Sequence, residues 1–105
     1  MELMTNDIAK RLQRDTSAWD ADHTDVIVKY FMAAGHLNWY IVEGERLGDD
    51  WRLFGYVENL SEPMFSELGY VMLSELEGLK AIDPFQLGVE RDLGFKNKKL
   101  SEVMK

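Results

Sequence analysis

Val26-Ile27-Val28-Lys29-Tyr30-Phe31-Met32-Ala33 is the stretch on which the fold turns. It is dense in β-branched and aromatic side chains, which fit a pleated, half-buried surface better than a helix, so it reads as a strand. Alternation puts Val26, Val28, Tyr30 and Met32 on one side and Ile27 and Phe31 on the other. Both sides are apolar, and both faces of the sheet therefore need at least partial cover.

Downstream, a Gly35-His36 turn leads into a second strand over residues 37–43, and residues 44–50, with two glycines and mostly charged residues, read as a hairpin loop. Residues 51–58 form the third strand, with Gly55 in its interior marking a bulge or the close approach of another backbone. Past the Ser61-Glu62-Pro63 turn, residues 67–73 read as a fourth strand. Ser74 and Glu77 then make a capping-box pair for a short helix over 75–80, and residues 89–95 make a last strand before a loose tail. Upstream, residues 15–25 read as a connecting loop pinned by Trp19. Thr5 caps a helix running to about Arg14, with Ile8, Ala9 and Leu12 on its inner face. The expected architecture is α+β in a single domain over 1–105: an antiparallel four- to five-stranded meander sheet, an N-terminal helix, and a short helix before the last strand.

An apolar fraction of 46% and 11% aromatic residues supply one core without a staple. The chain has no cysteine, which excludes thiol catalysis, a disulfide framework and thiolate zinc sites. The first residues, Met1-Glu2-Leu3-Met4, lack the basic start and apolar run of a signal peptide, and no stretch is long enough to span a bilayer, so a cytoplasmic protein is expected. Charge is uneven: residues 15–88 hold 14 acidic and 4 basic residues, a net of −10, and residues 89–105 hold 3 acidic and 5 basic, a net of +2. Such a middle repels nucleic-acid phosphates.

Several chemistries fail on spacing. The Asp20 to Asp25 segment starts like a calcium loop, but Asp25 stands where the turn glycine belongs and Phe31 where a bidentate glutamate belongs. His23 and His36 have no zincin-type partner, and the glycines form neither a P-loop nor a dinucleotide fingerprint. No metal and no cofactor is expected. The polar cluster that departs from ordinary patterning is Glu90-Arg91-Asp92: if Val89, Leu93 and Phe95 point to the core, Arg91 does too, and its guanidinium then needs a carboxylate, for which Glu43 is the candidate. The aromatic residues Phe31, Tyr40, Phe54 and Tyr56 are the candidate binding surface, on a face that two short helices leave partly open.

Asn38-Trp39-Tyr40-x-x-Glu43, Phe54-Gly55-Tyr56-Val57, Glu67-Leu68-Gly69-Tyr70-x-x-Leu73-Ser74-Glu75-Leu76-Glu77 and Val89-Glu90-Arg91-Asp92-Leu93-x-Phe95 follow one another along nearly the whole chain. In order and spacing these blocks resemble the domain of unknown function 2958 family. The sequence departs from it at Gly94, where a larger residue is usual, and in a longer segment over 81–87. The resemblance implies a small accessory protein of bacterial plasmids, integrative elements or phages, and it carries over no catalytic residue.

Two functions follow as expectations. The first is a non-enzymatic protein-interaction module of a mobile genetic element, with an anti-defence role as a DNA-mimic-like sub-case, whose partner is a basic protein of the host or the element. The alternative is a small metal-dependent hydrolase or nucleic-acid-processing enzyme built on Glu43, Glu90, Arg91 and Asp92. A direct nucleic-acid binder rests only on Lys96, Lys98 and Lys99 and ranks third.

Overall fold

The computed structural model describes residues 2–12, 20–32, 36–79 and 88–104. Trp19, the turn glycine Gly35 and the ends expected at Arg14, Ala33 and Lys80 lie outside the described residues. Helix α1 (Asn6–Leu12) is followed by strands β1 (Val28–Met32), β2 (Leu37–Leu47) and β3 (Asp50–Asn59). A 3-10 turn (Pro63–Phe65) precedes β4 (Glu67–Met72), helix α2 (Leu73–Gly78), the two-residue β5 (Glu90–Arg91) and helix α3 (Leu100–Val103). The strands form one antiparallel sheet in the order β4-β3-β2-β1-β5, so β1 to β4 are a meander and β5 joins at the far edge beside β1. The α+β class, the antiparallel sheet and the helix before the last strand are as the sequence leads one to expect.

Each face of the sheet has its own cluster. On one, Val28, Tyr30, Met32, Trp39, Ile41, Trp51 and Leu53 pack under Ile8 and Leu12 of α1 and Leu73 and Leu76 of α2. Thr5 starts α1 by accepting the Ile8 N–H on its hydroxyl at 3.2 Å. The Tyr30 hydroxyl donates to the Leu3 carbonyl at 2.6 Å, fastening the chain ahead of α1 to the sheet. On the other face, Val26, Tyr40, Val42 and Leu100 form a smaller cluster with Phe54, Tyr56, Leu68, Phe95 and Val103 against it. Val26 thus packs opposite to Val28, against the simple alternation, because it precedes β1 and its N–H donates to Lys98.

Four boundaries differ from expectation. The hairpin loop over 44–50 shrinks to Gly48 and Asp49, with Leu47 paired to Asp50 and Gly48 at φ 63, the positive value a type II′ turn needs at its first central position. Charged residues made this segment look like a loop, yet a ladder carries them when they pair across strands, as Arg52 and Glu45 do at 2.8 Å. Helix α2 begins at Leu73 with the Glu75 carboxylate accepting the Met72 N–H, while Ser74 instead donates its hydroxyl to Asp50; the Ser74-Glu77 box does not form. The last strand ends at Arg91, and Leu93 stands 73% exposed in a turn fixed by the Asp92 carboxylate on the Gly94 N–H. The tail is not loose: α3 seats Leu100 in the second cluster, and Lys99 pairs with Asp25 through a backbone bridge and a 2.6 Å ion pair.

Candidate functional site

The second face of the sheet becomes a site by register. Tyr40 lies across from Tyr56, Tyr56 from Leu68, Phe54 from Tyr70, and Phe31 from Asn38, which is two residues before Tyr40. Paired residues share a face and alternate residues of a strand share it too, so Phe31, Tyr40, Phe54 and Tyr56 all stand on this side. The rings are close: Tyr40 to Tyr56 is 6.5 Å between centroids, Tyr40 to Phe95 is 6.1 Å, and Phe54 to Tyr70 is 4.9 Å. Tyr40 is buried, its three companions are half-buried and Tyr70 is exposed, so the stripe runs from a covered end under α3 to an open end at β4.

Polar groups edge this stripe. Glu58 accepts from Asn38 Nδ2 at 2.9 Å and from the Tyr40 hydroxyl at 3.3 Å, so it is held by two neutral donors. Lys29 pairs with Asp92 at 3.4 Å and lies 5.6 Å from the centre of the Tyr40 ring. Arg52 pairs with Glu45 and lies 4.9 Å from the centre of the Tyr70 ring. On this face Lys29 and Arg52 are therefore each already engaged by a carboxylate.

Burial, reinforced by the Glu58 charge, pushes the Tyr40 phenol up to about 12 from its ordinary 10.0. The fold keeps this proton where the unfolded chain has lost it, so the contribution to stability is full below pH 10 and disappears as pH rises toward 12. Burial also raises the Tyr30 phenol, opposed by the Arg91 charge, and it acts in the same direction. Alkaline denaturation is accordingly expected to set in between pH 10 and about 12, and Tyr40→Phe to reduce the loss across that window, followed by phenolate absorbance and circular dichroism.

The charged cluster is divided by the sheet. Arg91 lies across from Tyr30 and so faces the helix-covered core, where its Nε is buried. Glu90 lies across from Phe31, and Asp92 reaches Lys29, so both carboxylates turn to the aromatic face. Glu43 is not the partner of Arg91. A bulge between Ile41 and Glu43 sets Glu43 across from Phe54, on the face opposite to Arg91, two strands away and four residues along β2 from the row of Tyr30 and Trp39. The four residues thus do not converge on a cleft, and among the described residues no three His, Asp or Glu side chains are gathered to hold a metal ion. Asp20, in the segment whose spacing already fails as a calcium loop, uses its carboxylate on the His23 ring and the Asp22 N–H, which lower its pKa.

Glu58, Tyr70 and Lys29 were absent from the candidates drawn from sequence. Glu58 and Tyr70 were reachable through alternation, being two residues beyond Tyr56 and Leu68 on the same side of their strands. Lys29 was reachable in the same way, two residues before Phe31, but its pairing with Asp92 was not, since that depends on the turn after β5.

Fold and site together define a small α+β protein with a helix-backed antiparallel sheet whose other face presents a half-covered aromatic stripe. The chain belongs to the DUF2958 family, proteins of unknown function, whose sequence profile matches residues 3–105. No curated protein and no solved structure is detectably similar to it. Among the described residues no helix is long and apolar enough to cross a membrane.

Proposed function

We propose that this chain is a non-enzymatic interaction protein that grips a basic region of another protein with the aromatic, acid-edged face of its sheet. The supporting observation is the stripe from Phe31 through Tyr40, Tyr56 and Phe54 to Tyr70, whose neighbouring cations Lys29 and Arg52 are already paired. Aromatic rings give a rigid contact area at small entropic cost, and Glu58 and Glu90 add negative charge that steers a cationic partner. A hydrolase would need Glu43, Glu90, Arg91 and Asp92 in one cleft, and the register favours no such arrangement. Within the interaction reading, occupation of a basic groove that normally holds DNA is the sub-case in which the protein serves a mobile element against host defence.

Affinity capture from a host lysate, compared at about 50 mM and about 500 mM salt, tests this. A basic protein is expected at low salt and not at high salt. Tyr56→Ala is expected to weaken its binding about 30-fold, the effect of losing an aromatic anchor at an interface. Capture that ignores salt and survives Tyr56→Ala would refute the assignment.

A further inference from the structure

Between Arg52 and Lys80 the chain contains no lysine, arginine or histidine, while Glu58, Glu62, Glu67, Glu75 and Glu77 supply five carboxylates. This stretch builds most of β3, the 3-10 turn, β4 and α2. Among the described residues β4 is the outer strand on this side, so the backbone groups it does not spend on β3 point outward. From Leu68 to Met72 the edge carries no charge and no proline, and its pairing with β3 runs without a bulge. Those are the devices that normally blunt an exposed edge. The opposite edge, β5, is only two residues long.

Large apolar side chains stand out beside this edge. Tyr70 is 64% exposed on β4, and the turn before it presents Met64 at 85% and Phe65 at 60%. That turn is ordered: the Asn59 side-chain oxygen accepts the Ser61 and Glu62 N–H groups, and the Asn59 N–H donates to the Ser66 hydroxyl at 2.9 Å. A backbone tied down before binding has little conformational freedom left to lose on docking.

We propose that β4 receives an extended, basic segment of a partner protein as a sixth strand. Charge selects this occupant. A second copy would bring two cation-free stretches edge to edge, five carboxylates from each and no cation to offset them, and like charge opposes that pairing. An anionic membrane surface meets the same repulsion. A basic strand is attracted, takes its affinity from main-chain hydrogen bonds, and lays every second side chain beside Leu68 and Tyr70 on the aromatic face. The inference rests on the interaction reading above and adds to it how the partner is held.

The test is selection of a random twelve-residue peptide phage library on the immobilised full chain. Recovered peptides are expected to be rich in lysine and arginine and to alternate apolar with polar residues. In the best of them, methylating the backbone nitrogens of one alternate set is expected to weaken binding at least about tenfold, and methylating the other set to leave it within about threefold. Tyr70→Lys, a change at an exposed position, is expected to weaken it about tenfold as well. Basic peptides that bind but respond equally to both methylation sets would overturn strand addition while leaving the interaction reading in place. A library that yields no basic binder would remove both. A protein that doubles its mass in sedimentation, and loses the doubling in Tyr70→Lys, would assign the edge to a second copy instead.

Discussion

Gly55→Ala is expected to prevent folding, or to cost more than about 4 kcal/mol if any folded protein survives. A Cβ at this position would lie 2.0 Å from the Tyr40 carbonyl oxygen and 2.8 Å from the Ile41 Cα. These are backbone atoms of the neighbouring strand and have no rotamer by which to retreat. The crowding comes from the bulge between Ile41 and Glu43, which draws β2 against β3 where Ile41 faces Gly55. Gly69 is the internal control. It lies on β4 directly across from Gly55, yet a Cβ there meets nothing within 4 Å, so Gly69→Ala is expected to shift stability by less than about 1 kcal/mol. Chemical denaturation of the two variants separates the cases, and a Gly55→Ala protein as stable as Gly69→Ala would mean that the bulge is misplaced.

The same bulge shows where sequence reading reaches and where it stops. Gly55 announced a close approach, because glycine inside an apolar strand has few other reasons to be there. What it could not announce was that the irregularity lay on the opposing strand and moved Glu43 to the other face, which undid the pairing of Glu43 with Arg91. A single inserted residue inverts the side-chain phase of everything after it, and phase is invisible until the partner is known. Phe31, Tyr40, Phe54 and Tyr56 could be read from alternation because no phase change falls between Tyr40 and Ile41 or within β3. Arg91 was legible as inward-facing through Val89, its neighbour two residues earlier, which does lie in the core. Leu93 and Phe95 gave no help, as the strand had already ended and Phe95 packs with Tyr40 on the other side. The third helix escaped notice because four residues, Leu100 to Val103, are too few for periodicity, and its hold on the protein comes from contacts distant in sequence.

Those contacts carry the second large effect. Leu100→Ala is expected to destabilise the protein by about 2–5 kcal/mol, the range for removing a leucine side chain that has no exposed surface. Leu100 packs with Val26, Tyr40 and Val42, and its N–H donates to the Thr24 carbonyl at 2.8 Å. Alanine keeps that hydrogen bond, so the loss isolates packing. The cavity opens beside Tyr40, whose burial is the main cause of its raised pKa; the phenol is therefore expected to titrate closer to 10.0 in the variant. Stability and titration should move together, with binding at the aromatic face weakened through the slackened Tyr40. A cost below about 1 kcal/mol, with the Tyr40 titration unchanged, would mean that the C-terminal helix does not back the sheet, and the covered end of the stripe would then be as open as its end at Tyr70.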